Sequence, residues 1–263
     1  MKFKLLLSAV ALSLLASAAP TYAADSGTAK TDGTGAFVPG TKADIHYPKD
    51  SDDSQIIVED STDRDQPILD GLILTYYPDF HFGRTELNWT SNSILIDALV
   101  NPAKSDLSEY LPGFVQVADI TGDPELTWNV TAALDDEYKT AKGDVLKGAQ
   151  LRLYEKSILS DYQDEADFAS KILAFARSNG EYLNVPNSAR GEAPKIVLQN
   201  KEKGYTNLTY TSVVFEDDFH KQDYAKADAN TRYTGAKLYL PSQKDVVDGD
   251  YATTITWTLN TSV

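Results

Sequence analysis

Residues 251–263 read YATTITWTLNTSV, and residues 124–134 read PELTWNVTAAL. In the first stretch Ile255, Trp257 and Leu259 alternate with Thr254, Thr256 and Thr258; in the second, Leu126, Trp128 and Val130 alternate with Thr127, Asn129 and Thr131. A β-strand sends successive side chains to opposite faces. Each stretch therefore predicts a strand with one apolar face and one face of hydroxyls and amides. The chain has only three tryptophans, so two of them in such similar settings predict two strands of equivalent role.

The same texture extends outward from these strands. ILDGLILTYY, GFVQVADI, AQLRLYE, PKIVLQN, NLTYTSVVFE and AKLYLP are short, rich in β-branched and aromatic residues, and separated by Gly, Pro, Asn and Asp. That pattern predicts an all-β, sandwich-like domain, beginning near residue 66 and running to residue 263. One segment breaks it. In ILSDYQDEADFASKILAFARSNG, residues 158–180, Tyr162, Ala166, Ala169, Leu173 and Ala176 recur at spacings of three and four before Asn179-Gly180, which predicts a short helical or loop insertion.

Residues 1–23 pair Lys2 and Lys4 with an apolar run from Leu5 to about Ala16 and a small-residue exit ending at Ala23. This is the form of a secretory signal peptide, and a dozen apolar residues fall short of the roughly 20 that cross a bilayer as a helix. Residues 24–65 are rich in Gly, Ser, Thr and Asp and predict a flexible, disordered leader; GAFVPG and QIIVED are the apolar islands within it, the only stretches there that could dock as short edge strands. No cysteine is present, so the domain must cohere through its core without disulfides, which its length allows. An exported protein without cysteine suits a Gram-positive bacterium.

With 24 basic and 39 acidic residues the formal net charge is −15. Cleavage after Ala23 would remove two lysines and no acid, bringing it to −17. Such a surface repels nucleic acid and anionic membranes, so neither binding to nucleic acid nor direct membrane insertion is expected. His46, His81 and His220 are the only histidines, and none lies in a metal-binding spacing; G-x-S-x-G and phosphate-loop motifs are absent as well. The acidic pairs Asp135-Asp136 and Asp217-Asp218 could serve a glycosidase, but in so acidic a chain they read as solvated loop charges. DITGD and VVDGD could offer oxygens to calcium but lack the spacing of an EF-hand loop. No enzyme and no cofactor are expected.

The motifs together carry a resemblance. Trp257-Thr258-Leu259 after DGDYATTI resembles the distal motif of the WxL surface-domain family of Gram-positive bacteria, and GDPELTWNV resembles its proximal motif, with Val130 where the family has leucine. LDGLILTYYPDFHFGRTEL resembles the family's opening strand and its Pro-x-Phe-x-Phe-Gly turn, here Pro78, Phe80, Phe82 and Gly83. The resemblance covers about residues 66–263. It implies a secreted, cell-surface module attached non-covalently to peptidoglycan, in company with other WxL proteins and a membrane-anchored WxL-interacting protein. An assembly or adhesin subunit that binds a partner protein or host matrix is the alternative. As candidate wall-binding or motif residues it marks Trp128, Asn129, Val130, Trp257, Thr258 and Leu259. Each indole could be a platform for a sugar ring or a core residue beside two aliphatics.

Overall fold

The structure is a computed structural model and describes residues 43–48, 66–87, 93–103, 108–154, 156–162, 164–176, 181–242, 244 and 246–262. The signal-peptide stretch, GAFVPG and QIIVED lie outside these residues. The described residues all fall within one compact unit, Val38–Val263.

An Asp-Gly turn opens the β region: Asp70 and Gly71 both take positive φ, 47° and 93°, the conformation that a two-residue hairpin requires. It joins β1 (Ile68–Leu69) to β2 (Leu72–Tyr76). The other strands among the described residues are β3 (Ile94–Leu99), β4 (Asn101–Pro102), β5 (Tyr110–Leu111), β6 (Phe114–Asp119), β7 (Thr127–Leu134), β8 (Gln150–Leu153) and β9 (Ser157–Ser160). They continue with β10 (Ile172–Ala174), β11 (Leu183–Asn184), β12 (Lys195–Asn200), β13 (Thr209–Val214), β14 (Arg232–Leu240) and β15 (Ile255–Ser262).

These strands pair antiparallel into a five-stranded sheet β1-β2-β6-β13-β9, two four-stranded sheets, β10-β12-β7-β15 and β11-β8-β14-β3, and the pair β4-β5. The fold is all-β, as the alternating pattern predicts. The three larger sheets turn their apolar faces to one core, in which Leu74 and Val117 meet Trp128 and Val130, and Leu151 and Leu238. Where β14 bends at a register shift between Tyr233 and Lys237, Gly235 lies so close to β13's end that an added Cβ would sit 1.5 Å from the Phe215 carbonyl oxygen. Only glycine fits there.

The insertion is smaller than its periodicity suggests. Helix α1 is the single turn Phe168–Lys171, and the chain leaves it at Ile172 in an extended conformation to form β10. Pairing of Ile172, Leu173 and Ala174 with Asn200, Gln199 and Leu198 of β12 overrides the three-and-four spacing, as β-branched and aliphatic residues permit.

A second departure lies in the stretch read as leader. Ile45, Tyr47 and Pro48 are buried, and Ile45 and Tyr47 pack with Tyr76, Leu111, Phe114 and Phe219 in a second apolar cluster. The His46 amide donates to Gln116 Oε1 at 2.9 Å, and Gln116 Nε2 donates back to the His46 carbonyl at 2.9 Å. Gln116 is fully buried and also accepts from the Thr75 hydroxyl at 3.1 Å and donates to Ser212 Oγ at 3.0 Å, so this segment completes the bonding of a core amide. Period-two alternation of Ile45 and Tyr47 with Asp44 and His46 explains the docking; the run is short and its flanks are polar, which hides it.

Candidate functional site

The two tryptophan stretches, far apart in sequence, are neighbours in one ladder. β15 runs antiparallel to β7, with Trp257 opposite Ala132, Thr258 opposite Thr131, Leu259 opposite Val130, Asn260 opposite Asn129 and Thr261 opposite Trp128. Alternation then sorts the six motif residues. Trp128, Val130, Trp257 and Leu259 share the core face, whereas Asn129 and Thr258 point to the outer face, one row apart.

Trp128 is 1 % exposed, which settles it as a core residue. Its indole N–H donates to Thr206 Oγ1 at 2.8 Å, and the Thr206 hydroxyl donates to Asp119 Oδ2 at 2.8 Å. Asn200 Nδ2 also donates to Thr206 Oγ1, at 3.2 Å. The other Asp119 oxygen accepts from the Thr121 hydroxyl at 2.8 Å. Asp119, the first acid of DITGD, thus ends a buried polar chain that begins at the indole. Thr206, which accepts from the indole, and Asn200, which donates to Thr206, come from the turn after β12 and from its end; no motif marks them in the sequence.

Trp257 is only partly buried, because β15 is an edge strand of its sheet. Its ring lies 6.4 Å from that of Tyr77, so the two aromatics sit together at the rim of the core. The two tryptophans share a strand face but differ in environment: one is sealed and hydrogen-bonded, the other reaches solvent.

The outer face of the same sheet is built of amides and hydroxyls. Gln199 of β12 pairs with Asn129, which pairs with Asn260, and Asn260 Nδ2 donates to Asn129 Oδ1 at 3.1 Å. The next row holds Ile196, Thr131 and Thr258, and Thr256 beyond it donates to Asp135 Oδ1 at 2.6 Å. Thr256 and Thr258 are exposed, and Asn129, Thr131, Gln199 and Asn260 partly so. Gln199 joins this surface only through strand order, which is why spacing along the sequence does not single it out. An array of side chains that can both donate and accept is suited to hydroxyl and N-acetyl groups of a glycan.

Of the other acids in the two acidic pairs, Asp136 and Asp218 are engaged away from this row. Asp136 pairs with Lys139, and that hydrogen bond holds its carboxyl below the usual range. Asp218 faces His220 at 3.7 Å. The Pro-x-Phe-x-Phe-Gly turn is structural: Gly83 has φ 61°, Phe80 packs against Phe215 at 5.7 Å, and Arg232 Nη2 donates to the Phe82 carbonyl at 3.0 Å. Among the described residues no helix is long and apolar enough to cross a membrane.

A family profile described as WxL domain surface cell wall-binding matches residues 24–262. No curated protein and no solved structure matches the chain significantly.

Proposed function

The chain belongs to the WxL domain surface cell wall-binding family, and from that premise we propose that it attaches non-covalently to peptidoglycan through the outer face of the β10-β12-β7-β15 sheet. The observation that carries this reading is the sorting of the motif residues. The indoles and aliphatics hold the strands, and Asn129 and Thr258 stand with Gln199, Asn260 and Thr131, all neutral, on the other side of them.

Charge supports contact at short range. A protein of formal net charge −15 is repelled by an anionic wall at a distance, but that repulsion fades over a Debye length of about 8 Å at physiological ionic strength. Neutral hydrogen bonds at the surface are then what retain it. Binding through them persists or strengthens as salt rises.

The test is sedimentation of the purified protein with protein-stripped peptidoglycan at low and high salt. Asn129→Leu combined with Thr258→Val removes hydrogen-bonding groups while keeping side-chain bulk and charge, and is expected to weaken binding by about tenfold or more, equivalent to about 1.4 kcal/mol. Trp257→Phe, which keeps most of the packing, is expected to bind like the parent. If the folded double variant sediments as the parent does, the face is scaffold and the proposal fails.

A second reading, a subunit of a surface assembly with other WxL proteins and a membrane-anchored partner, is favoured by one observation. Among the described residues β15 is laddered only to β7, over eight residues, and an open strand edge is a template for strand addition by a partner. Under that reading the purified chain alone does not sediment with peptidoglycan and does so once the partner is supplied.

A further inference from the structure

The outer face of the other four-stranded sheet carries different chemistry. Across β11, β8, β14 and β3, one row places Asn184, Arg152, Lys237 and Asp97 side by side, and the next places Gln150, Tyr239 and Leu95. The Arg152 guanidinium lies over the Tyr239 ring, 3.5 Å from its centroid, and 4.2 Å from that of Tyr182. Tyr182 in turn packs against Tyr154 at 5.1 Å. Gln150 Oε1 accepts from Arg152 Nε at 3.0 Å and Nη2 at 2.7 Å, so the cation is clamped in place from three sides.

Arg152 is held over two tyrosine rings without an acid beside it. Arg190, Lys203 and Lys237 meet Glu137, Glu125 and Asp97 at 2.6, 2.8 and 2.6 Å. Among the described residues no carboxylate lies within ion-pair distance of Arg152, although the chain has 39 acids to 24 bases. Its neighbour Lys237 is neutralised by Asp97, so the row keeps one uncompensated positive charge. Leu95, at 51 % exposure, adds apolar surface beside Tyr239. Four strands about 4.8 Å apart make this a face wider than one sugar ring.

We propose that this face is a second binding surface, for an acidic polysaccharide whose carboxylate or phosphate pairs with Arg152 while its rings lie on Tyr182, Tyr239 and Leu95. A guanidinium presents a planar fork to an oxyanion, and preorganisation between two rings lowers the entropic cost of using it. Tyrosine offers a flat apolar body with a polar tip, which suits a sugar face and its hydroxyl rim. A purely structural role for the stack would add a little to stability, as exposed cation–π pairs do, and would give no ligand response. The proposal goes beyond the peptidoglycan reading, concerns a different sheet and ligand charge, and can stand or fall separately.

The experiment titrates the purified protein, followed by NMR and calorimetry, with three soluble probes: an oligogalacturonate, a poly(glycerol phosphate), and a neutral glucan oligosaccharide. Binding of one acidic probe, weakening with salt and with little response to the neutral one, is expected; which acidic probe binds decides between carboxylate and phosphate. Arg152→Gln should weaken that binding at least tenfold, Arg152→Lys should fail to restore it because the planar fork is lost, and Tyr182→Leu should weaken it severalfold. Thermal melts of each variant show that folding is kept, and the Asn129/Thr258 double variant, altered on the other sheet, should bind the acidic probe like the parent. Failure of both acidic probes to bind, equal binding by folded Arg152→Gln, or equal affinity for the neutral probe overturns the proposal.

Discussion

Trp128 and Trp257 lie on the same face of adjacent strands, four ladder rows apart, and the difference between them follows from what surrounds each ring. Trp128 sits between β12 and β15, where its indole N–H can reach Thr206 and, through it, the buried Asp119. Removing the donor leaves an acceptor short of a partner and a gap in packed surroundings. Trp128→Phe is therefore expected to cost about 2–4 kcal/mol, combining the lost hydrogen bond and the cavity. Trp257→Phe, at the rim beside Tyr77, should cost about 1 kcal/mol or less. Urea denaturation of the two variants measures both; equal costs would show that the buried chain from indole to Asp119 contributes nothing.

At the scale of elements, β7 and β15 were legible from alternation and β2 and β13 from runs of β-branched and aromatic residues, whereas the Asp-Gly turn inside ILDGLILTYY shows only in the positive φ of Asp70 and Gly71. The helix was legible only as an interruption. Its three-and-four spacing ran on through Leu173 and Ala176, yet β12 offers a ladder to Ile172–Ala174, and no local pattern announces a partner strand over twenty residues away. The candidate face was half legible for the same reason: Asn129 and Thr258 lie in the motifs, whereas Gln199 arrives through strand order. β15 has the largest consequence of any single element. It covers the inner face with Ile255, Trp257 and Leu259 and closes one side of β7. Ending the chain at Tyr251 should bare the β7 ladder and the flank of Trp128, giving aggregation or loss of a cooperative melt. A soluble, cooperatively folding truncation would show β15 to be peripheral.

Over the whole molecule, the five-stranded sheet is covered on both faces, by the main core on one and by the segment 43–48 with its surroundings on the other. Burial of phenols makes this core sensitive to alkali. Tyr138 and Tyr233 are held well above the ordinary phenol range by burial, so the folded state favours the neutral ring. That contribution is complete below about pH 10, the unfolded value, and is lost as pH rises above it toward the folded value. Melting temperature should hold steady to about pH 9 and fall above pH 10, and Tyr138→Phe should reduce the fall; a flat profile would contradict the assignment. Docking of 43–48 gives the last expectation, because it places the start of the folded region earlier than composition indicates. Ile45 and Tyr47 are buried, Tyr47 donates to Glu109 and lies under Lys221 Nζ at 3.5 Å, and Gln116 loses both of its bonds to the His46 main chain if the segment is absent. Apolar burial of two side chains and the two lost bonds to a buried amide together amount to about 3–5 kcal/mol, and for a domain near 200 residues each kcal/mol is about 2–4 °C. A chain beginning at residue 49 should therefore melt about 6–20 °C below one beginning at residue 24. Gln116→Leu, which removes the amide, should make the two lengths differ by less. Equal melting of the two lengths would mean that the sheet's outer face is closed without this segment, and that the folded region begins near residue 66 after all.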